Sequence, residues 1–284
     1  MKLSIITICL NNLQELKRTV ESVTSQTYNG YEYIVIDGGS TDGCTEYIKE
    51  TDRIDLYVSE PDKGIYNAMN KGIKMAHGEY CLFMNSGDTL YNNEVLQKAI
   101  PHLTEGDFYV GHSILNDNGV TSLRKTPKKM TAKFLLETSI MHQSTFIRTS
   151  LLKHKPYNES HKIVSDWEYF FYEWIFNNKQ YVPLDMIVSV FYLGGISNNE
   201  KSLRQNEKER KDVINKLLPQ RIQNELLQKE QAAIKEKSKI EIKIEKALSK
   251  PPIQRDWKLL RNSFKFLLQD CWHSAFKRQK KIKM

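Results

Sequence analysis

Leu3-Ser-Ile-Ile-Thr-Ile-Cys9 is a short run rich in β-branched residues, apolar at odd and even positions alike. A strand with one wet face alternates in polarity, whereas a strand covered on both faces does not. This run therefore reads as a buried strand of a parallel sheet. Outward from it, Asn12 is placed to cap a helix reaching about Ser25, with Leu13, Leu16, Val20 and Val23 on one face. Tyr31 to Asp37 repeats the strand pattern and is closed by Gly38-Gly39. Thr41 or Asp42 then caps a short helix, and Ile54 to Ser59 supplies a third strand. The loop Glu60-Pro-Asp-Lys-Gly64 leads into a helix from about Ile65 to Ala76, ended by Gly78, and Tyr80 to Met84 forms a fourth strand. Strand and helix alternating at this spacing predict an α/β fold, its sheet mostly parallel and covered by helices on both faces.

After about Pro101 the pattern is mixed. Phe108 to Leu115 and Val120 to Arg124 pair around the turn Asp117-Asn-Gly119, a helix spans about Asp166 to Asn177, and Met186 to Tyr192 reads as another strand. From about Glu200 the chain is helical and charged, broken at Pro219 and at Pro251-Pro252. The net charge of +8 hides an asymmetry. Residues 201–284 carry 23 Lys and Arg against 10 Asp and Glu, whereas residues 1–200 carry 19 against 24. A mildly acidic body with a basic tail points to two functional parts, the tail facing an anionic surface. Along one helical stripe of that tail lie Trp257, Leu260, Phe264, Leu267, Leu268, Cys271 and Ala275, interleaved with Lys258, Arg261 and Lys265. Such a helix suits the interface of an anionic membrane.

No run of 18 apolar residues is present, so no membrane span is expected. Strand-like residues begin at Leu3, which leaves the expectation of no secretory leader. Cys9, Cys44, Cys81 and Cys271 show neither a CxxC pair nor a zinc spacing. They read as small hydrophobes of a reduced, cytoplasmic protein.

In an open parallel sheet, ligands bind beyond the carboxyl ends of the strands. Three polar clusters fall there: Asn11-Asn12, Asp37-Gly-Gly-Ser40 and Asn85-Ser-Gly-Asp88. Each alone is an ordinary turn composition; three on one sheet edge are more. The chain has no GxxxxGK[ST], which excludes a P-loop, and Gly38-Gly39 lacks the third glycine of a dinucleotide fingerprint. What remains is carboxylate-based handling of a nucleoside diphosphate, for which a divalent cation takes one or two carboxylates plus phosphate oxygens. Asp88, on a tight turn after a buried strand, suits that task.

Four segments resemble family 2 glycosyltransferases, in the branch that builds bacterial surface polysaccharides. They are Ser4 to Asn12, Val35 to Gly43, Ser59 to Gly72 and Phe83 to Asp88, all within the first 90 residues. Weaker likeness continues through His142-Gln143, Ser165-Asp-Trp-Glu168 and Phe191 to Ser197. The resemblance implies a GT-A fold, a nucleotide-sugar donor (a UDP-sugar favoured), a divalent metal (Mn²⁺ or Mg²⁺) and inversion at the anomeric carbon. It implies a catalytic domain over 1–200, with a donor-binding half over 1–100 and an acceptor half over 101–200. Residues 201–284 then form the helical basic extension.

By position, Thr7 and Asp37 would face the base, with Asn11, Gly39, Asp62, Lys63, Asn85 and Ser86 lining the donor site. Asp88 would hold the metal and Asp166 would be the catalytic base. His142 and Gln143 are candidate contacts to acceptor or diphosphate; a buried, internally bonded histidine fits as well. Trp167 and Trp174 read as core before sugar stacking. Two departures stand out: Gly87 precedes Asp88 where relatives carry a second acid, and Gly38 follows Asp37 where many have Asp-Asp. The Gln-x-x-Arg-Trp of processive members is absent, which favours single transfer onto a glycan or polyprenyl-linked acceptor. The expected location is cytoplasmic, at the inner face of the membrane through the tail. A sugar-nucleotide pyrophosphorylase is the alternative enzyme, though Ile8 to Asn12 is unlike its phosphate loop. A nucleic-acid binder acting through the tail lacks any motif, so no nucleic acid is expected.

Overall fold

The computed structural model describes residues 1–193, 200–225 and 280–281. The chain divides into two compact units, the first holding Met1–Glu209 and the second beginning at Arg210. The first unit opens with β1 (Leu3–Cys9), α1 (Leu13–Thr24), β2 (Tyr31–Asp37), α2 (Cys44–Lys49), β3 (Leu56–Ser59), α3 (Ile65–Met75) and β4 (Tyr80–Phe83). It continues with β5 (Thr89–Leu90), α4 (Val95–Ala99), β6 (Phe108–Asp117), β7 (Val120–Arg124) and α5 (Ala132–Glu137). β8 (Thr145–Arg148), α6 (Thr149–His154), α7 (Ser165–Ile175) and β9 (Tyr181–Tyr192) follow, and α8 (Glu200–Leu217) runs across the unit boundary.

The strand order β7-β6-β8-β4-β1-β2-β3 has a parallel half, β4-β1-β2-β3, extended by antiparallel β8, β6 and β7. β9 lies beside β6 and also pairs with β5. Every residue of β1 and β2 is buried, as expected of strands covered on both faces. Leu3, Ile5, Tyr33 and Val35 pack with Leu16, Val20 and Val23 of α1 and with Cys44 and Ile48 of α2. On the other face α3 crosses so closely that a Cβ on Gly72 would meet Ile6 Cγ2 at 2.5 Å.

Two local expectations change. Asn12 precedes α1 but its side chain caps nothing; Asp42 accepts the Leu13 N–H (2.8 Å) and the Cys44 N–H (3.3 Å), serving two helix starts with one carboxylate. β9 starts at Tyr181 rather than Met186, because Pro183 interrupts the strand pattern while the pairing with β6 shifts register beyond Val110. Trp167 is core, its indole N–H bonded to the Leu135 carbonyl. Cys9, Cys44 and Cys81 are buried free thiols. Among the described residues no helix is long and apolar enough to cross a membrane. The apolar stripe from Trp257 to Ala275 lies outside the described residues.

Candidate active site

The turn after β4 is held from α1. Thr19, fully buried, accepts the Gly87 N–H (2.9 Å) and donates to the Asp88 carbonyl (2.7 Å), so one hydroxyl pins both ends of the tight step. Gly87 takes φ +107°, a conformation that a side chain strains. Arg18 donates to the Gly87 carbonyl (2.7 Å) and lies 4.0 Å over the Tyr192 ring. From below, Thr7 donates to the Met84 carbonyl (2.7 Å) and bonds the Tyr33 hydroxyl. Thr7, expected to face the base, is fully buried and supports the turn through these two bonds.

On this turn Asp88 is only 6% exposed. Its carboxylate accepts from Gln143 Nε2 (2.7 Å) and from the Tyr192 N–H (3.3 Å). Burial outweighs these bonds and the nearby cations, pushing its pKa up to about 6. Around it Asn85 Oδ1, Ser86 Oγ and Gln143 Oε1 are buried with no hydrogen-bond partner among the described residues. Buried oxygens are rarely left so.

The β2 end is organised in the opposite way. Asp37 is fully buried and its two oxygens accept from Ser40, Thr45 (2.8 Å) and Ser59 (2.6 Å) hydroxyls and from the Ser40 N–H (3.2 Å). Burial pushes its pKa up, but the donors win and hold it below the usual carboxylate range. Asp37, expected from the resemblance to face the base, is here engaged by donors from within the protein. Asn11, with φ +49°, ties the neighbouring loops together, donating its N–H to Ser40 Oγ (2.8 Å) and accepting the Thr41 N–H (2.8 Å). Gly39 has φ +83° and packs against Pro61, where a Cβ would come within 3.3 Å of the Pro61 nitrogen. Asp62 pairs with Lys71 (2.6 Å), and its other oxygen lies 3.0 Å from where a Cβ on Gly38 would sit. Glycine after Asp37 leaves that room free. Lys63 is exposed just before α3.

The third centre joins distant segments. Asp166, in the first turn of α7, accepts from Tyr66 of α3 (2.9 Å) and from the Trp167 N–H (2.9 Å), and its other oxygen pairs with His142 Nδ1 (2.9 Å). Burial raises its pKa, yet the His142 bond and charge and the Tyr66 hydroxyl overcome this and keep it lowered. His142 Nε2 faces Asn85 Nδ2 at 3.2 Å, and the adjacent Gln143 holds Asp88. His142 and Gln143 thus connect Asp166 to the β4 turn. Tyr66 was not singled out from sequence, although it lies inside the Ser59 to Gly72 segment. Thr19 and Arg18 carry no local signal at all.

With this geometry in view, the match of residues 4–170 to the model of glycosyl transferase family 2 is decisive. The chain belongs to glycosyltransferase family 2. An uncharacterized glycosyltransferase of Mycobacterium tuberculosis is 36% identical over 173 residues, 58% of this chain and 66% of that relative. A PGL/p-HBAD biosynthesis glycosyltransferase of Mycobacterium bovis is 29% identical over 206 residues, covering 69% and 78%. Among solved structures, Staphylococcus aureus TarS 1–349 in complex with UDP-GlcNAc superposes with TM-score 0.55 at 22% identity, over 68% of this chain and 58% of that one. The mannosyltransferase of Pyrobaculum calidifontis in complex with GDP-Man and Mn²⁺ gives TM-score 0.51 at 13% identity, over 66% and 56%. This family 2 chain thus spans less than two thirds of the first of these relatives and of both solved structures. The fold is GT-A, a mostly parallel sheet with helices, as read from sequence.

A divalent cation fits the β4 turn on chemical grounds. Among the described residues no three His, Cys, Asp or Glu side chains gather as a metal site. A hard cation also accepts neutral oxygens, however, and three unpartnered ones flank the single buried carboxylate.

Proposed function

We propose that this chain is an inverting, metal-dependent glycosyltransferase that moves one sugar from a nucleoside-diphosphate sugar, a UDP-sugar favoured, to a glycan or lipid-linked acceptor hydroxyl in polysaccharide biosynthesis. The observation that carries this reading is the linking of two carboxylates through His142-Gln143, one short of donors and one well supplied with them. Asp88 is buried among unpartnered oxygens and Asp166 is held ionised. That a TarS structure holds UDP-GlcNAc and an archaeal mannosyltransferase GDP-Man with Mn²⁺ supports the donor class and the cation.

Asp88, with Asn85, Ser86 and Gln143 oxygens, would hold the cation, which supplies positive charge against the diphosphate as it leaves. Lys63 and the N-terminus of α3 add further positive potential on the donor side. Asp166 takes the proton of the acceptor hydroxyl as the acceptor oxygen bonds to the anomeric carbon and the bond to the diphosphate oxygen breaks. His142 and Tyr66 aim its oxygens. Attack from the face opposite the leaving group inverts the anomeric centre. The basic tail, placed against an anionic membrane, would bring the enzyme to a lipid-linked acceptor at the cytoplasmic face.

Thermal stabilisation of the full chain by a panel of nucleotide-sugars, with and without Mn²⁺, tests the reading. A ligand at 100 times its dissociation constant adds about 2.7 kcal/mol. Stabilisation by a UDP-sugar only when Mn²⁺ is present is expected. Stabilisation by no nucleotide-sugar under either condition overturns the proposal.

A further inference from the structure

Glu209 lies on α8, in the part of the chain that sequence assigns to a charged extension. Its residue is only 3% exposed. The carboxylate accepts three consecutive backbone N–H groups: Lys162 (2.8 Å) on Oε1, and Ile163 (2.9 Å) and Val164 (3.2 Å) on Oε2. Gln205, one turn earlier on α8, donates a fourth bond to Oε1 (2.8 Å). Burial works against the charge, but these donors together hold the group below the ordinary carboxylate range, so it is an anion at neutral pH.

The clamped peptides stand directly before α7. Val164 precedes the first residue of that helix and accepts the Glu168 N–H (2.7 Å), and Asp166 follows two residues later. The peptide joining Ile163 and Val164 is gripped twice, its N–H by Glu209 (3.2 Å) and its carbonyl by the Tyr66 hydroxyl (2.8 Å), the same hydroxyl that reaches Asp166 Oδ1. We propose that Glu209 is a positioning residue for Asp166: an anion on α8 that fixes the 162–164 segment and thereby the start of α7 and the aim of the Asp166 carboxylate.

Three successive N–H groups turned toward one point form a nest that asks for an anion. Without Glu209 these donors would be buried and unpaired, and the segment would turn to find other acceptors. A displacement of about 1 Å at a reacting group is enough to cost a large factor in rate. Stapling α8 to the body is the plainer role, and it predicts loss of stability with no selective loss of turnover. The proposal rests on the reading of Asp166 as the base.

The test uses the full chain and the UDP-sugar that stabilises it most with Mn²⁺, with water as acceptor and nucleoside diphosphate release as the readout. Glu209→Gln keeps the shape but replaces one acceptor oxygen by an NH₂ that faces donors. Its kcat is expected to fall at least tenfold while the donor KM stays within about twofold. Amide exchange at 162–164 should rise at least tenfold with the β4 amides unchanged. Gln205→Ala, which leaves all three backbone donations in place, should keep wild-type kcat. Tyr66→Phe combined with Glu209→Gln should lose less than the product of the single losses, because both grip one peptide. A Glu209→Gln protein with wild-type kcat overturns the proposal, whatever its melting temperature. So does one whose kcat loss is matched by faster exchange throughout the body. Asp166→Asn is run alongside: if it stays active the base reading fails, whereas an inactive Asp166→Asn beside a fully active Glu209→Gln removes only the positioning role.

Discussion

Asp37 and Asp88 occupy matching places, at or just beyond the carboxyl ends of the parallel strands β2 and β4, and both are buried. The protein treats their charges in opposite ways. Asp37 is ringed by Ser40, Thr45 and Ser59 hydroxyls and is held as an anion. Asp88 has one amide and one long backbone donor, and oxygens of Asn85, Ser86 and Gln143 are left unpartnered among the described residues. Asp37, with no exposure and donors on both oxygens, is fully engaged within the protein, whereas Asp166, also well supplied with donors, keeps a fifth of its side chain exposed. A carboxylate left short of donors among other oxygens is a place for a cation. The difference teaches that burial and position on the sheet do not by themselves assign a role; the donors around each carboxylate separate these two.

The largest effect belongs to Asp88. Asp88→Asn is expected to lower cation-dependent sugar transfer at least 100-fold and to abolish thermal stabilisation by Mn²⁺, with the fold kept. Burial gives the folded protein a raised pKa, so it binds this proton more tightly than the unfolded chain does. The cation-free protein should therefore lose stability as pH rises from about 4 to about 6, by on the order of 3 kcal/mol. The Asn variant should lose that slope. Cation binding competes with the same proton, so Mn²⁺ affinity should weaken about tenfold per pH unit below 6. Wild-type transfer undiminished by EDTA contradicts this assignment.

Asp37→Ala comes next, and its loss should fall on the fold. It leaves the Ser40 N–H and several hydroxyls without their acceptor, at a cost of at least about 3 kcal/mol. UDP and a base-less sugar diphosphate should weaken together, in step with the unfolding. If the variant is stable and loses only UDP, Asp37 reads the base after all and the contrast with Asp88 is broken. Thr19→Val is smaller. It frees the Gly87 N–H and loosens the turn under Asp88, so Mn²⁺ affinity should fall about tenfold for about 1–2 kcal/mol of stability, measured by titration and melting.

Much of this was legible because it is local. Strands covered on both faces read as continuous apolar runs, and the glycine and aspartate turns mark where they end. Asp88 stands out locally, on a tight turn after a buried strand, whereas Asp166 is marked only by the family resemblance. What sequence did not tell was which groups share a hydrogen bond across long separations. Tyr66 and Asp166 lie 100 residues apart, and Thr19 and Asp88 lie 69 apart. Nothing in the composition of Asp37-Gly-Gly-Ser40 distinguishes a free carboxylate from one filled by Ser59 on the next strand. Glu209 looked like one more acid in a charged helix, because its partners are backbone groups that leave no trace in side-chain pattern.

The smallest and sharpest test pairs two serines, one beside each carboxylate. Ser59 is exposed and donates to Asp37 Oδ2 at 2.6 Å, with Thr45 donating to the same oxygen. Ser59→Ala removes one donor from a carboxylate that keeps others, and water can reach the vacated place. A loss of about 0.5–1 kcal/mol is expected. The lowered pKa of Asp37 supplies stability above the unfolded carboxylate range and loses it as pH falls through the folded value. With one donor fewer, that value rises, and acid unfolding should begin at slightly higher pH. Ser86 presents the reverse case: its hydroxyl is buried without a partner among the described residues, beside Asp88. Ser86→Ala removes an unpaired polar group, so the cation-free protein should be unchanged or more stable by about 1 kcal/mol. The same variant should bind Mn²⁺ more weakly. Opposite signs in the melting temperatures of these two serine-to-alanine variants would separate a site completed by the chain itself from one completed by its ligand; equal losses in both would mean that Ser86 already has its partner in the free protein.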